Sequence, residues 1–171
     1  MNDFLAGILD VPDFPKVGIV FKDLTPLLAD PRLFPAAVEA IVDPFRSAGI
    51  AKVVGIEARG FMFGAAAALA LSAGFVPARK PGKLPRRHER VDYALEYGSD
   101  ALEMHVDDVE QGQLCLIVDD VLATGGTARA AVELVRRCGG AVAGLSVFLE
   151  LELLEGRRKL PEIRVESVVL A

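Results

Sequence analysis

The sequence predicts a doubly wound α/β fold, with a mostly parallel central sheet and helices on both faces. Three nearly continuous aliphatic runs carry this prediction: Ala51–Ala58, Leu114–Asp120 and Ala141–Leu151. Unbroken apolar runs, unlike alternating ones, are typical of strands that are covered on both faces of a parallel sheet. Helix-like segments separate the runs. Strands that alternate with helices in this order favour the doubly wound class.

Glycines mark where the helices should end. Three helices are predicted, over Pro31–Ser47, Gly60–Ser72 and Gly126–Cys138. They are followed by Gly49, Gly74 and Gly139 respectively. Glycine commonly closes a helix because it adopts the left-handed conformation at no steric cost. The last segment, IRVESVVLA at 163–171, predicts a final strand at the edge of the sheet.

One segment resembles a membrane span, because Gly60–Ala78 contains no charged residue. It is mostly alanine, however, and Ser72, Gly74 and Pro77 make it only weakly hydrophobic. A spanning helix needs a longer and more apolar stretch. We therefore expect a buried helix followed by a short strand around Phe75, and no membrane partner.

Two regions fall outside the alternation of strands and helices. Asp10–Asp30 is rich in proline and is predicted to be irregular, whereas Arg79–Asp92 is a long, polar and basic loop. Long loops in a compact domain are often functional. The basic loop concentrates six cations in an otherwise acidic chain, which indicates a polyanionic ligand.

Composition limits the classes of function. The chain has 171 residues, enough for one domain, and a net charge of −5 argues against a nucleic-acid partner. Cys115 and Cys138 are too few for a disulfide framework and are predicted to be reduced and buried. With an N-terminus that lacks a basic signal region, this favours a cytoplasmic protein. His88 and His105 match no metal or catalytic pattern and are expected at the surface.

The stretch LCLIVDDVLATGGTARAAVELV, Leu114 to Val135, suggests a specific ligand. Its strand ends at Asp119 and Asp120, whose ionised carboxylates accept hydrogen bonds only and suit the two hydroxyls of a ribose. The residues Thr124–Thr127 then stand at the beginning of a helix, where free backbone N–H groups bind phosphate. A sugar with hydroxyls at one end and a phosphate at the other, a ribose 5-phosphate, satisfies both groups.

With these residues identified, LIVDDVLATGGTA resembles the phosphoribosyl diphosphate signature of type I phosphoribosyltransferases. Five further segments are similar to the adenine enzymes of that family: FPKVGIVFKD, GIEARGF, KPGKLP, YALEYG and LEGRRKL. They follow one another over nearly the whole chain. The resemblance implies purine salvage, in which ribose 5-phosphate passes from 5-phosphoribosyl 1-diphosphate to N9 of adenine. The products are AMP and diphosphate, and the reaction requires Mg²⁺.

The resemblance also implies which residues form the site. The ribose hydroxyls are expected at Asp119 and Asp120. The 5-phosphate is expected at Ala123, Thr124, Gly125, Gly126 and Thr127. The diphosphate is expected at Arg59, Arg79, Lys80 and Lys83. The base is expected at Val20, Phe21 and Lys22. Catalysis is expected at Glu96, a general acid or base near N7 of adenine, and at the neighbouring Tyr97.

The same family likeness gives each region a role within one domain, 1–171. The segment 1–30 becomes a hood in which Phe21 stacks on the purine while the backbones of Val20 and Lys22 bond its edge. The segment 79–98 becomes a flexible lid. Mg²⁺ is expected to be carried mainly by the substrate, without metal ligands from the protein. A homodimer is implied, with some diphosphate-binding cations close to the interface, but no role is implied for Arg86, Arg87 or Arg90, which we expect to be solvated.

Two alternatives remain open from the sequence. One is phosphoribosyl transfer to another base, such as xanthine or orotate. The other is a regulator that keeps the ribose-phosphate site to sense metabolites without catalysis. The segments EARGF and LEYG favour the adenine enzyme over the first, and no DNA-binding extension is evident for the second.

Overall fold

A computed structural model of the chain describes residues 2–94 and 98–171. The helices are α1 (Asn2–Leu5), α2 (Thr25–Ala29), α3 (Leu33–Val42), α4 (Gly60–Ala70) and α5 (Gly126–Arg137). The strands are β1 (Leu9–Pro12), β2 (Val20–Asp23), β3 (Lys52–Ile56), β4 (Gly74–Ala78), β5 (His88–Ala94), β6 (Ser99–His105), β7 (Leu114–Leu122), β8 (Ala141–Glu150) and β9 (Val165–Leu170). Short 3-10 helices cover Asp43–Phe45, Glu152–Leu154 and Gly156–Lys159.

The central sheet has five parallel strands in the order β4-β3-β7-β8-β9. This confirms the predicted class and places the last strand at an edge, as expected. The predicted helix at Pro31–Ser47 is shorter: it ends at Val42 and continues as a 3-10 turn that contains Pro44. Pro44 has no backbone N–H to donate to the carbonyl of Ala40, which explains the early end.

Different elements cover the two faces of the sheet. Val54 and Ile117 point to the face on which α5 packs. Their neighbours Val53 and Leu116 point to the opposite face and pack with α3 and α4. Successive residues of a strand face opposite sides, so a strand buried on both sides must be apolar throughout. This requirement produces the unbroken aliphatic runs in the sequence.

Two antiparallel hairpins add to this sheet. The hairpin of β5 and β6 lies within and after the stretch predicted as a polar loop, and it packs against α5. Strand β5 was not predicted because only Val91 is fully buried in it, among exposed or half-buried polar residues. The segment predicted to be irregular contains the second hairpin, in which β1 pairs with β2. The lid proposed at 79–98 thus includes all of β5 and stays a prediction.

The burial of the cysteines and of His105 tests two smaller predictions. Both thiols are free, as expected, but only Cys115 is buried, whereas Cys138 is half-buried. Burial raises the pKa of Cys115 to about 11. The prediction for His105 was wrong: this residue is buried at the end of β6, where its Nδ1 lies 3.2 Å from the carboxylate of Asp108. Within the described ranges, no helix combines the length and apolarity that crossing a bilayer requires.

Candidate active site

A cleft of about 430 Å³ opens at the carboxyl ends of β3 and β7. This is the edge at which open α/β sheets bind their ligands. It is lined by the predicted site residues Val20, Phe21, Lys22, Arg59, Lys80, Asp119, Asp120, Ala123 and Thr127. A smaller pocket of about 70 Å³ shares part of this lining and adds Thr124, Gly125 and Gly126. The structure therefore brings together the residues predicted for the sugar, the phosphate and the base.

The two aspartates form a tightly coupled pair near the end of β7. The backbone N–H of Asp120 donates to Oδ1 of Asp119 at 2.9 Å. Burial, followed by the charge of Asp120, raises the pKa of Asp119 well above its usual range. A Cβ at Gly60 would lie 2.6 Å from Oδ1 of Asp119, so the first residue of α4 must be glycine for the helix to pass this carboxylate.

Arg59 partly offsets the negative charge of the pair. Its Nε lies 2.6 Å from Oδ2 of Asp120, which is buried. The guanidinium N–H is not aimed along this line, and Oδ2 is left without a hydrogen-bond partner among the described residues. A buried acceptor without a donor is costly, and a ligand hydroxyl that donates to it would remove that cost.

The predicted phosphate turn forms the beginning of α5. Gly125 precedes the helix with φ = 77°, in the left-handed region that glycine adopts readily. The first turn of a helix has backbone N–H groups with no intrahelical acceptor, here at Gly126, Thr127 and Ala128. These donors and the positive end of a 12-residue helix converge on the small pocket. The turn is therefore suited to an anion.

Glu57, at the end of β3, organises the predicted diphosphate cations. Its side chain is only 9% exposed and accepts hydrogen bonds from Nε of Arg79 at 3.2 Å, from the N–H of Lys80 at 2.9 Å, and from Nζ of Lys83. Burial favours a higher pKa for Glu57, but the bonds from Lys83, Lys80 and Arg79 together lower it. Arg79 and Lys83 do not line the cleft in this structure, and Glu57 holds both beside it.

Lys80 reaches into the cleft and is held there by the hairpin. Its Nζ donates to the hydroxyl of Tyr93 at 2.8 Å and pairs with the carboxylate of Asp100. Burial opposes the charge of Lys80, yet the bonds to Asp100 and Tyr93 raise its pKa. Its ammonium therefore stays charged and is fixed between the central sheet and the hairpin.

An aromatic ring, that of Phe21, forms part of the wall of the cleft. Phe21 is half-buried on β2, and the guanidinium of Arg59 lies 5.0 Å from its ring centroid. Phe14 packs edge-on against it at 5.2 Å. The ammonium of Lys22 is turned to Asp10 at 2.8 Å, so only the rest of Lys22 lines the cleft.

Some predictions remain untested and some residues were missed. Glu96 and Tyr97 lie outside the described residues. Glu57 was missed although it stands in GIEARGF, where a carboxylate directly after a buried strand was a usable signal. Asp100 and Tyr93 gave no such signal. Arg86 and Arg90 are exposed, as expected, but are ion-paired with Asp108 and Asp92 respectively.

Comparison with known proteins agrees with this geometry. The family model described as "Phosphoribosyl transferase domain" matches residues 27–169. An adenine phosphoribosyltransferase of Myxococcus xanthus is 58% identical over 98% of this chain and 91% of its own length. The crystal structure of the Rhodothermus marinus adenine phosphoribosyltransferase is 50% identical with a TM-score of 0.95, covering 99% of this chain and 97% of that one.

A yeast enzyme of the same name was crystallised with adenine and an imino-altritol bisphosphate. It is 38% identical with a TM-score of 0.93, over 98% of this chain and 97% of that one. Both the sequence and the structural likeness extend over nearly the full length of the chain, including the cleft. The chain therefore belongs to the phosphoribosyltransferase family and, within it, to the adenine phosphoribosyltransferases.

Proposed function

We propose that the chain transfers ribose 5-phosphate from 5-phosphoribosyl 1-diphosphate to N9 of adenine, giving AMP and diphosphate in purine salvage. The main support for this proposal is the set of groups that line the cleft. One cavity joins a carboxylate pair, a helix beginning with free amides, a fixed ammonium and an aromatic wall. These four features match the four parts of the two substrates. The whole chain, 1–171, acts as one phosphoribosyltransferase domain in this proposal.

The sugar and its phosphate are assigned to β7 and the turn that follows. Asp119 and Asp120 accept hydrogen bonds from the ribose hydroxyls. Oδ2 of Asp120 supports this assignment, because it is ion-paired with Arg59 but accepts no hydrogen bond from the described residues. The 5-phosphate occupies the turn from Ala123 to Thr127, where the amides at the beginning of α5 donate to it. Burial and the charge of Asp120 raise the pKa of Asp119, and a ribose hydroxyl that donates to the ionised carboxylate would lower it.

The base is assigned to the hood, 1–30. Phe21 stacks on the purine, and the backbones of Val20 and Lys22 bond its edge. The ion pair of Lys22 with Asp10 supports a backbone role, because it turns the ammonium away from the base. Pro12 lies opposite Val20 in the hairpin and has no N–H to donate to it. Adenine has a donor at N6 and an acceptor at N1, whereas hypoxanthine and guanine reverse both, so fixed backbone groups discriminate between them.

The diphosphate is assigned to Arg59, Arg79, Lys80 and Lys83. Negative charge grows on it as the bond to the anomeric carbon breaks, while positive charge grows on the sugar. Arg59 and Lys80 already line the cleft and can stabilise the first charge, whereas Glu57 holds Arg79 and Lys83 beside it. Asp119 and Asp120 lie beside the sugar and stabilise the second.

Mg²⁺ fits this site through carboxylate oxygen, the kind of ligand it prefers. Asp119 and Asp120 offer such oxygens at the cleft, and among the described residues no group of three His, Cys, Asp or Glu side chains could hold a metal. We therefore propose that the substrate carries most of the coordination, with the aspartates nearby. When bound, Mg²⁺ neutralises charge on the diphosphate.

Glu96 and Tyr97 remain proposed as catalytic residues, with Glu96 exchanging a proton near N7 of adenine. The position of Ala94 supports this. A Cβ at Gly126 would lie 3.3 Å from the carbonyl oxygen of Ala94, so β5 ends against the beginning of α5. The chain therefore leaves β5 at the mouth of the phosphate turn. We also propose that the lid, 79–98, closes over bound substrate.

A cytoplasmic homodimer completes the proposal. Leu69, on α4, is 83% exposed, and Met62 on the same helix and Phe75 on β4 are also exposed apolar side chains. Such a surface suits burial against a second copy. Sedimentation at micromolar concentration should give a mass near 36 kDa, about twice the 18.2 kDa of the chain. Free thiols at Cys115 and Cys138 suit a reducing compartment.

The deciding experiment incubates the protein with 5-phosphoribosyl 1-diphosphate, Mg²⁺ and one free base at a time. AMP should form from adenine, while xanthine, hypoxanthine and orotate give little nucleotide. Nucleotide formation from another base in preference to adenine would contradict the assignment of the hood. Binding of RNA or DNA at physiological salt, with no turnover, would instead favour a regulator.

A further inference from the structure

The phosphate turn is braced by a second segment of the chain. Gly156, the first residue of the 3-10 helix Gly156–Lys159, lies directly against it. A Cβ at Gly156 would overlap the carbonyl oxygen of Ala123 and stand 3.1 Å from the nitrogen of Gly125. A Cβ at Gly125 would in turn overlap the carbonyl of Gly156. The two backbones are therefore in contact, and neither position has room for a side chain.

The bracing segment is itself fixed by Arg157. Its Nε donates to both carboxylate oxygens of Glu150, at 2.7 and 2.8 Å, and Glu150 is buried. The remaining guanidinium nitrogens donate to the carbonyl of Val165 at 2.7 Å and to Oγ of Ser167 at 3.1 Å. Ser167 also donates to Glu150 at 2.5 Å. One guanidinium thus ties the segment to β8 and β9.

A phosphate-binding turn requires such support. Its donors are backbone amides, which cannot adjust as side chains do, so their aim depends on where the main chain lies. Errors of about 1 Å in positioning cost on the order of 100-fold in rate or binding. The φ of Gly156 is outside the left-handed region, so its backbone tolerates alanine, and only contact with the turn opposes a side chain there.

We infer that Gly156 and Arg157 are positioning residues for the ribose 5-phosphate. Gly156 sets the turn by direct backbone contact, and Arg157 holds Gly156 in place through Glu150. The inference rests on the proposed function, because it assigns the 5-phosphate to this turn. It gives a physical role to the segment LEGRRKL, which contributes no side chain to the lining of the cleft.

The test compares Gly156→Ala with Gly74→Ala. Both glycines lie outside the left-handed region, but a Cβ at Gly74 meets only the flexible side chain of Lys52, at 3.1 Å. For Gly156→Ala, we expect KM for 5-phosphoribosyl 1-diphosphate to rise about tenfold or more, the scale of a 1.4 kcal/mol loss. KM for adenine at saturating co-substrate should stay within about twofold of the parent. Gly74→Ala should leave both constants unchanged.

Arg157 provides a second test that does not add atoms to the turn. Arg157→Met should raise the same KM, and Arg157→Lys should restore part of the loss, because lysine keeps the charge beside Glu150 but not the further bonds to Val165 and Ser167. A merely structural role would lower the melting temperature of both variants and leave the KM values equal to the parent's. That result, or an equal rise in both KM values, would overturn the inference.

Direct binding separates this inference from the proposed function. If the parent protein forms no AMP, the proposed function fails on its own. Calorimetry with ribose 5-phosphate then tests, in the same variants, whether Gly156 and Arg157 position the phosphate turn. Weaker binding to Gly156→Ala and Arg157→Met than to the parent supports it. Unchanged binding, or no binding to the parent, overturns it.

Discussion

At the scale of single residues, Asp119 carries a cost that we propose ribose binding relieves. Its pKa is raised, first by burial and then by Asp120, so folding favours its protonated form. The unfolded chain ionises this group at its ordinary pKa, and stability therefore falls as the pH rises from there towards the raised value. At neutral pH the folded protein bears a penalty at the position where we place the ribose.

Asp119→Asn should remove this penalty and the function together. We expect its melting temperature to be a few degrees above the parent's at pH 7. A gain of about 1 kcal/mol in the free energy of unfolding raises the melting temperature of a domain of this size by about 2–4 °C. The gain should shrink as the pH is lowered to 4, and turnover should fall at least about 100-fold. Calorimetry at both pH values and an AMP assay measure these effects. A variant that is less stable at pH 7, or that turns over normally, would contradict this account of Asp119.

Glu57 shows the opposite dependence on pH. Its pKa is lowered despite burial, because Lys83, Lys80 and Arg79 bond the charged form. The stability it contributes is present above its ordinary pKa and is lost as the pH falls through the lowered one. Glu57→Gln should therefore cost about 1.5–3 kcal/mol at pH 7, the range for hydrogen bonds to a charged group. Urea unfolding should show this cost shrinking near pH 3, whereas an equal cost at both pH values would refute it.

The sequence predicted some of these residues and missed others, for a physical reason. Asp119 and Asp120 were recognised because their neighbours along the chain, an apolar strand and a glycine turn, already define the site. Glu57 bonds cations that lie 22 to 26 residues away, and Lys80 bonds Asp100 at a separation of 20. Spacing in a sequence does not encode such pairs, because they form only when the strands of the fold meet.

At the scale of elements, the parallel strands were predictable and the hairpins were not. A strand covered on both faces must be largely apolar, and β3, β7 and β8 are apolar over most of their length. Strand β5 reads HERVDYA and buries only Val91 fully, so it resembles a polar loop. Its position against α5 nevertheless makes it part of the site, because it brings Tyr93 to Lys80.

The hairpin should therefore compete with diphosphate for Lys80. Asp100 pairs with this ammonium, and both side chains are about one-third exposed, at 32% and 30%. Asp100→Asn removes the charge of the competitor, so the inhibition constant of diphosphate should fall about threefold, as expected for a partly exposed ion pair. The matched control is Asp92→Asn, which breaks the exposed pair with Arg90 on the same hairpin and should leave inhibition unchanged. Weaker inhibition in Asp100→Asn would mean that Asp100 orients Lys80 for the diphosphate and does not compete for it.

At the scale of the whole molecule, the cleft unites segments from most of the chain. Phe21 comes from the N-terminal hairpin, Arg59 from the beginning of α4, Lys80 from the loop after β4, and Asp119 from β7. A nucleotide that contacts all of them binds only the folded chain. Ligand binding must therefore stabilise the fold as a whole.

AMP should accordingly raise the melting temperature, and the size of the shift should depend on which base the nucleotide carries. A ligand present at 100 times its dissociation constant adds about 2.7 kcal/mol to the free energy of unfolding. For a domain of this size, this raises the melting temperature by roughly 5–11 °C. IMP has the same sugar and phosphate but reverses the hydrogen-bonding groups at N1 and at position 6, so at equal concentration its shift should be clearly smaller. Asp119→Asn should lose most of the shift with either nucleotide, since both rely on the ribose. Equal shifts for AMP and IMP with the parent protein would show that the hood does not select the base.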